Sequence, residues 1–209
     1  MPQKHGKLIS IEGGEGAGKT TVMQAVRDCL AQTGKTVICT REPGGTDVGE
    51  EIRRVLLTPG RTLDAGTELL LMFASRAQLV NALIKPALAR GDYIVTDRFT
   101  DASFAYQGGG RGIEASDIRA LETRFVGIQP DLTLLLDLSV DQGMARAQSR
   151  GQSLDRIESE RHDFFLNVRA AYLRRAAEDP QRIKVIDASQ TAESVVRQVL
   201  ETLTIWMKA

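Results

Sequence analysis

Residues 13–20 read Gly-Gly-Glu-Gly-Ala-Gly-Lys-Thr. Two glycines spaced in this way before a Lys-Thr pair form the pattern G-x-x-x-x-G-K-[ST], which is typical of a phosphate-binding loop. The stretch 7–12 before it has the apolar character of a strand, and the stretch 21–32 after it carries apolar residues at helical spacing. Because strand, loop and helix follow one another, we predict that the loop amides and the helix N-terminus bind nucleotide phosphates.

The composition is that of an ordinary globular protein. We interpret the 209 residues, 1–209, as a single domain. The formal net charge is zero, so no overall positive field favours nucleic acid or a membrane as a partner, and we expect neither. Since the sequence shows no signal peptide and no long apolar run, we expect a cytoplasmic location. Cys29 and Cys39 form no metal or redox spacing and are expected to be buried, reduced thiols.

Stretches of strand and helix character alternate along the chain. Five short apolar stretches, at 7–12, 35–40, 92–96, 132–136 and 182–186, are predicted to be strands. The longest helical pattern between them runs from 67 to 90, with a kink or break expected at Pro86. This alternation predicts an α/β fold of the P-loop NTPase type, in which helices flank a five-stranded parallel sheet in three layers.

Several candidate ligand-binding residues lie where ligands gather on such a sheet, at the carboxyl ends of the strands. Lys19 is suited to the β- and γ-phosphates, and Asp97 with the Thr20 hydroxyl is suited to Mg²⁺. A turn or helix-capping role remains the alternative for Asp97. Phe73 and Arg76 share a helix face that suits base stacking and carbonyl recognition, although Phe73 taken alone is more typical of a core.

Arginines surround a polar break in the second half of the chain. They are found at positions 146, 150, 156 and 161 around Gly151-Gln152-Ser153. A segment of this kind over 150–158 suits a lid that closes arginines over transferring phosphates and excludes water. On spacing alone, a solvated helical hairpin with salt bridges explains the pattern equally well.

Longer motifs follow the loop in a fixed order. They are Thr40-Arg41-Glu42-Pro43-Gly44-Gly45-Thr46, then Asp97-Arg98, then Ser-Phe-Ala-Tyr-Gln-Gly-Gly at 103–109, then Asp155-Arg156-Ile157-Glu158. Over essentially the whole chain this order resembles the bacterial thymidylate kinases, a family of P-loop nucleoside monophosphate kinases. The resemblance implies a homodimer that transfers the γ-phosphate of ATP to dTMP with Mg²⁺, giving dTDP and ADP in dTTP biosynthesis.

The resemblance also implies residue roles. The ATP-binding set is Gly13, Gly14, Glu15, Gly16, Ala17, Gly18, Lys19, Thr20 and Thr21. The dTMP-binding set consists of Glu15 near the sugar 3′-hydroxyl, Arg53 and Arg98 on the phosphate, Phe73 stacked on thymine, Arg76 on O4, Ser103 and Gln107 on the remaining base edge, and Tyr106 against the 2′ position. The catalytic set is Lys19, Arg98, Arg150 and Arg156, with the last two supplied by the lid because glycine occupies position 16.

Two other functions are compatible with the phosphate loop by itself. A kinase for another monophosphate would share the architecture, but a purine pocket would need more room than Phe73, Ser103 and Gln107 suggest. A GTPase switch usually carries an Asn-Lys-x-Asp segment that reads guanine, and this sequence contains none.

Overall fold

The computed structural model describes residues 6–149 and 155–208. Its sheet consists of β1 (Lys7–Gly13), β2 (Val37–Arg41), β3 (Tyr93–Asp97), β4 (Leu132–Asp137) and β5 (Ile183–Asp187). Neighbouring strands are parallel throughout, in the order β2-β3-β1-β4-β5. The predicted α/β fold with a five-stranded parallel sheet is confirmed.

The described residues form nine α-helical segments, three of which continue into π-helical turns. They are α1 (Lys19–Ala31), α2 (Asp47–Leu57), α3 (Ala65–Leu79) with a π turn over Val80–Ile84, α4 (Lys85–Arg90), α5 (Thr100–Ser103) with a π turn over Phe104–Gly110, α6 (Ala115–Leu121) with a π turn over Glu122–Val126, α7 (Val140–Gln148), α8 (His162–Glu178) and α9 (Ala192–Lys208). None of these helices is both long and apolar enough to cross a membrane.

The sheet is covered by helices on both faces. Side chains alternate along β1, so that Ile9 and Ile11 pack with α1 and α9 whereas Leu8 packs on the opposite face with the α3–α4 region. A third apolar cluster joins α8 to the π turn that follows α5. This arrangement accounts for the nearly continuous apolar sequence of β4, which is buried on both faces.

The irregularity expected at Pro86 begins one turn earlier. The helix continues from α3 into α4, and its hydrogen bonding shifts to the π pattern over Val80–Ile84. Pro86 then lies in the first turn of α4, where its missing amide proton is not required.

The glycine-rich stretch after β3 ends the π turn over Phe104–Gly110, and its glycines leave room for α8. A Cβ on Gly110 would lie 2.3 Å from the Phe164 ring, so only glycine lets the two elements approach this closely. This packing fixes the π turn that carries Tyr106 and Gln107.

The prediction that both cysteines are buried is wrong for Cys39. Cys29 is partly buried in α1, but Cys39 is exposed on β2. The sheet order makes β2 an edge strand, and alternation of helix and strand along a sequence does not reveal which strands are at the edge.

Candidate functional site

The phosphate loop connects β1 to α1 and lies close to α7. Gly16 has a φ of 70°, and a Cβ there would lie 2.1 Å from the carbonyl oxygen of Gly143. Glycine is therefore required at this position both by the backbone conformation and by the contact with α7. Within the loop, the Lys19 ammonium donates to the Gly14 carbonyl at 3.0 Å, and burial lowers the pKa of Lys19.

Strand register brings the other candidate residues to the same edge. Ile11 of β1, Asp97 of β3 and Arg41 of β2 lie level with one another across the sheet. Beyond this edge lies a cleft of about 430 Å³. Its lining includes most of the predicted site residues, namely Glu15, Gly16, Ala17, Gly18, Lys19, Thr20, Thr21, Arg53, Arg76, Asp97, Arg98, Ser103, Tyr106 and Gln107.

Arg98 is the most extensively bonded side chain of the cleft. Its Nη2 donates to Glu15 Oε1 at 2.7 Å and to the Tyr106 hydroxyl at 2.9 Å. Its Nη1 donates to the Gly13 carbonyl at 3.0 Å and to the Tyr172 hydroxyl at 3.2 Å. With a φ of 71°, it is also the one non-glycine residue with positive φ among the described residues, 6–149 and 155–208. Such strain persists where surrounding contacts hold the side chain, as these four do.

Glu12, at the end of β1, is fully buried behind Arg98. Its Oε1 accepts the Phe99 amide and its Oε2 accepts the Tyr172 hydroxyl, both at 2.7 Å. Burial, reinforced by the charge of Asp101 and opposed by that of Arg98, raises the pKa of Glu12 to about 8. The carboxyl is therefore largely protonated near neutral pH.

The protonation of Glu12 makes stability depend on pH. Because its pKa rises from 4.5 to about 8 on folding, the folded state binds more protons between those values, and this contribution to stability is lost as pH rises through about 8. Since Glu12→Gln remains neutral, its melting temperature relative to wild type is expected to increase from pH 5 to about pH 8 and to level off above it. Thermal denaturation across that range measures the difference, and exposed Glu193→Gln is the control with no such trend. A constant difference would contradict the assignment.

A second buried cation, Arg76, lines the same cleft as the phosphate loop. Arg76 is 2% exposed, and its Nε donates to Glu42 Oε2 at 2.6 Å. Its remaining nitrogens donate to Ser103 Oγ at 2.9 Å and to the Phe99 carbonyl at 3.1 Å. The motif glutamate at position 42 therefore pairs with Arg76, a partner that its place in the sequence did not reveal.

Phe73 does not belong to the lining of the cleft. It is 3% exposed, packs in the apolar cluster between the sheet and α3, and lies 4.7 Å from the Arg76 guanidinium. The neighbouring Met72 lines the cleft instead. The core alternative thus describes how Phe73 packs, and its stacking on a base stays a prediction.

Glu68 is a buried hub that the sequence reading did not identify. It accepts Gln107 Nε2 at 2.9 Å, Arg111 Nη2 at 3.0 Å and Arg156 Nη2 at 2.7 Å. The sequence did contain an indication of this role. Glu68 lies two steps of four residues before Arg76 on α3, so the helical spacing places both charged residues along one side of the helix.

The predicted lid is described only from residue 155 onward. Arg150 and the rest of 150–154 lie outside the described residues. Arg156 is 8% exposed and donates to the Leu56 carbonyl at 2.6 Å as well as to Glu68. It does not belong to the lining of the cleft, whereas Asp155, Ile157 and Glu158 do. Its catalytic role stays a prediction.

Arg146, one of the arginines that surround the polar break, lines the cleft beside Gly16. Its Nη1 donates to the Ala188 carbonyl at 2.7 Å and its Nη2 donates to the Ser189 carbonyl at 3.0 Å. These bonds fix a cation where α7 and the loop after β5 meet the phosphate loop.

The predicted magnesium ligands suit the ion chemically. No group of three or more His, Cys, Asp or Glu side chains within 6–149 and 155–208 could hold a metal by itself. However, Mg²⁺ keeps several waters and commonly takes only one or two protein oxygens beside substrate phosphates. Asp97 Oδ1 is buried without a hydrogen-bond partner in the described part of the chain, and Thr20 lines the same cleft.

The chain is similar to proteins of known activity over nearly its whole length. The family profile "Thymidylate kinase" matches residues 11–199. Thymidylate kinase of Chromohalobacter salexigens is 52% identical over 202 residues, covering 95% of this chain and 95% of its own length. That of Nitrosospira multiformis is 50% identical over 199 residues, covering 95% and 97%. A crystal structure of thymidylate kinase from Ehrlichia chaffeensis superposes with a TM-score of 0.78 at 30% identity, covering 96% and 99%.

Proposed function

Because this chain belongs to the thymidylate kinase family, we propose that its cleft binds ATP at the phosphate loop and dTMP at the opposite wall, and transfers the γ-phosphate to give dTDP and ADP. One observation supports this proposal above all. The phosphate loop, buried Arg98, and Arg76 with Ser103 all line the same cleft. We place the reaction in the cytoplasm, where its nucleotide substrates are available.

The donor end consists of the phosphate loop, Lys19 and Arg146. The loop amides and the N-terminus of α1 stabilise the ATP phosphates, as a glycine-rich loop before a helix does in general. Lys19 already lies against the loop carbonyls, 3.0 Å from that of Gly14, from where its ammonium can turn to the β- and γ-phosphates. The ATP set is 13–21, as the sequence predicts.

Asp97 and Thr20 are the proposed Mg²⁺ ligands. Asp97 Oδ1, which has no hydrogen-bond partner among the described residues, gives the ion a buried anionic oxygen, and the Thr20 hydroxyl lines the same cleft. When bound, Mg²⁺ would supply positive charge that neutralises part of the negative charge of the ATP phosphates.

The acceptor end is assembled around two arginines. Arg98 and Arg53 line the cleft as ligands for the dTMP phosphate, with Glu15 placed for the 3′-hydroxyl and Tyr106 for the 2′ position. Arginine suits this task because its planar fork donates to two phosphate oxygens at once. The base edge is assigned to Arg76, Ser103 and Gln107, with Phe73 beneath Arg76.

The chemistry follows from charge. The acceptor is a phosphate oxygen that is already ionised near neutral pH, so the reaction requires no strong general base. The barrier comes from repulsion between two anions and from charge that develops on the transferred group. Lys19 and Arg98 counter both, and the lid arginines Arg150 and Arg156 are proposed to add positive charge when the lid closes.

An acceptor panel tests this assignment directly. ADP release with Mg-ATP is measured for dTMP, dUMP, dCMP, dAMP, dGMP and UMP. Strong turnover with dTMP, weaker turnover with dUMP and almost none with purines is expected. Preference for another monophosphate would retain the phosphate machinery but exclude the base assignment, and ATP hydrolysis indifferent to every acceptor would exclude the kinase assignment altogether.

A homodimer is part of the same proposal. Leu70 on α3 is 60% exposed, and Phe125 in the π turn after α6 is 49% exposed, on two elements that pack against each other. Large apolar side chains exposed on elements that pack against each other suit a protein interface. Sedimentation of wild type and Leu70→Glu is expected to show a dimer and a weakened dimer, whereas a monomeric wild type would exclude the proposal.

A further inference from the structure

The side-chain amide of Gln107 has a fixed orientation. Gln107 is 1% exposed and lines the cleft, and its Nε2 donates to Glu68 Oε1 at 2.9 Å. An ionised carboxylate can only accept hydrogen bonds, so the amide nitrogen must face Glu68. The amide oxygen then faces away from Glu68, and no hydrogen bond ends on it within the described residues. Gln107 is thus left with an acceptor for a ligand in the cleft.

Glu68 is held as a charged acceptor from three sides. It is 1% exposed, and Arg111 and Arg156 donate to it together with Gln107. Burial would raise the pKa of Glu68, but these hydrogen bonds outweigh it and lower the pKa below its usual value. Arg111 is fixed in turn by Glu160 at 2.7 Å, so this donor to Glu68 is held on both sides.

We propose that Glu68 is a positioning residue that determines base specificity, because it keeps the amide oxygen of Gln107 turned toward the N3 edge of the base. This inference rests on the proposed function, in which Gln107 reads that edge. Thymine presents an N3–H donor beside the O4 carbonyl that Arg76 is assigned to read. Cytosine presents an N3 acceptor and an amino donor at the same places, so both contacts would oppose it.

Uracil distinguishes amide orientation from a general loss of structure. Its N3–H and O4 are the same as those of thymine, so an amide locked as an acceptor separates thymine and uracil from cytosine but not from each other. If substitution in the hub only loosened the structure, kcat/KM for dTMP, dUMP and dCMP would fall together. The ratio between dTMP and dCMP therefore reports on the amide orientation, and the ratio between dTMP and dUMP serves as an internal control.

The test replaces Glu68 with glutamine. Glu68→Gln can donate to Gln107 as well as accept from it, so the Gln107 amide is free to turn and present its NH₂ group. The ratio of kcat/KM for dTMP over dCMP is expected to fall about tenfold or more. The site discriminates strongly against cytosine only while the Gln107 amide oxygen is held toward the N3 position of the base. The ratio for dTMP over dUMP is expected to stay within about twofold of wild type.

Arg111→Gln is the matched control. It removes one cation from the same carboxylate but leaves Glu68 an acceptor, so it is expected to lower the melting temperature without changing base selectivity. An equal fall in the dTMP/dCMP ratio in Arg111→Gln would overturn the inference, because general loosening would then be sufficient. Should Glu68→Gln not fold, E68Q/R111Q removes one charge of each sign and is measured instead.

Gln107→Ala distinguishes the base-reading role of Gln107 from the positioning role of Glu68. If Gln107→Ala changes the dTMP/dCMP ratio and the folded Glu68→Gln enzyme does not, the positioning role is overturned and the base-reading role stands. If Gln107→Ala also leaves the ratio unchanged, the base-reading role fails, and the positioning role fails with it. A fall in the ratio in both variants supports both.

Discussion

Replacing Lys19 with alanine is expected to lower kcat for dTMP phosphorylation by about 10²–10³-fold, the usual effect of removing one preorganised donor from developing charge. The Lys19 ammonium, at the start of α1, lies 3.0 Å from the Gly14 carbonyl, so the loop itself holds it at the site proposed for the ATP phosphates. Burial lowers its pKa, and the cleft that removes its hydration strengthens its attraction to phosphate oxygens.

The measurement is steady-state turnover with saturating Mg-ATP and dTMP. Lys35→Ala is the matched control, because Lys35 lies just before β2, at the amino ends of the strands, and its ammonium lies 5.4 Å from the centroid of the Tyr93 ring. We expect Lys35→Ala to turn over at the wild-type rate. If Lys19→Ala did so too, the loop would bind phosphate without contributing to transfer.

The phosphate loop and the sheet were predictable because their determinants are local. Glycine, lysine and threonine at fixed spacing specify the loop, and alternation of strand and helix specifies a parallel sheet. Parallel strands end at one edge, so Asp97 and Arg98 were expected there before any distance was known. These predictions required no knowledge of which side chains touch.

The Glu68 hub was not predictable in this way, because its partners are far apart in sequence. Gln107, Arg111 and Arg156 lie 39, 43 and 88 residues beyond Glu68. The spacing of arginines around a polar break indicated a lid, but it could not show that Arg156 is already paired with a carboxylate on α3. The proposed basis of base specificity therefore lies in contacts that only the folded chain reveals.

Phe73 shows the same limit at a single residue. Its helical spacing with Arg76 was consistent with a base platform, although a phenylalanine taken alone is more often a core residue. The fold places its ring within an apolar cluster and beneath the guanidinium, because α3 turns that face toward the sheet. Sequence periodicity identified the face correctly, but it could not say which residue of the face borders the cleft.

Replacing Arg98 with lysine is expected to lower kcat/KM for dTMP by about 10³-fold, comparable to the loss of an arginine from other phosphoryl-transfer sites. Lysine keeps the charge but not the planar fork, so it cannot bond Glu15 and Tyr106 on one side and the Gly13 carbonyl and Tyr172 on the other. The left-handed backbone at this position disfavours both residues similarly, so the comparison isolates the side chain.

Arg175→Lys distinguishes loss of function from loss of fold. Arg175 is buried to a similar degree, with 12% exposure against 16% for Arg98, and its Nη2 lies 2.8 Å from Asp101, outside the lining of the cleft. Both variants are expected to melt at lower temperature, since each weakens a buried ion pair. Only Arg98→Lys is expected to lose kcat/KM. Equal kinetic losses would mean that Arg98 acts through stability, and wild-type kinetics in Arg98→Lys would remove it from the acceptor site, leaving Arg53 as the phosphate ligand.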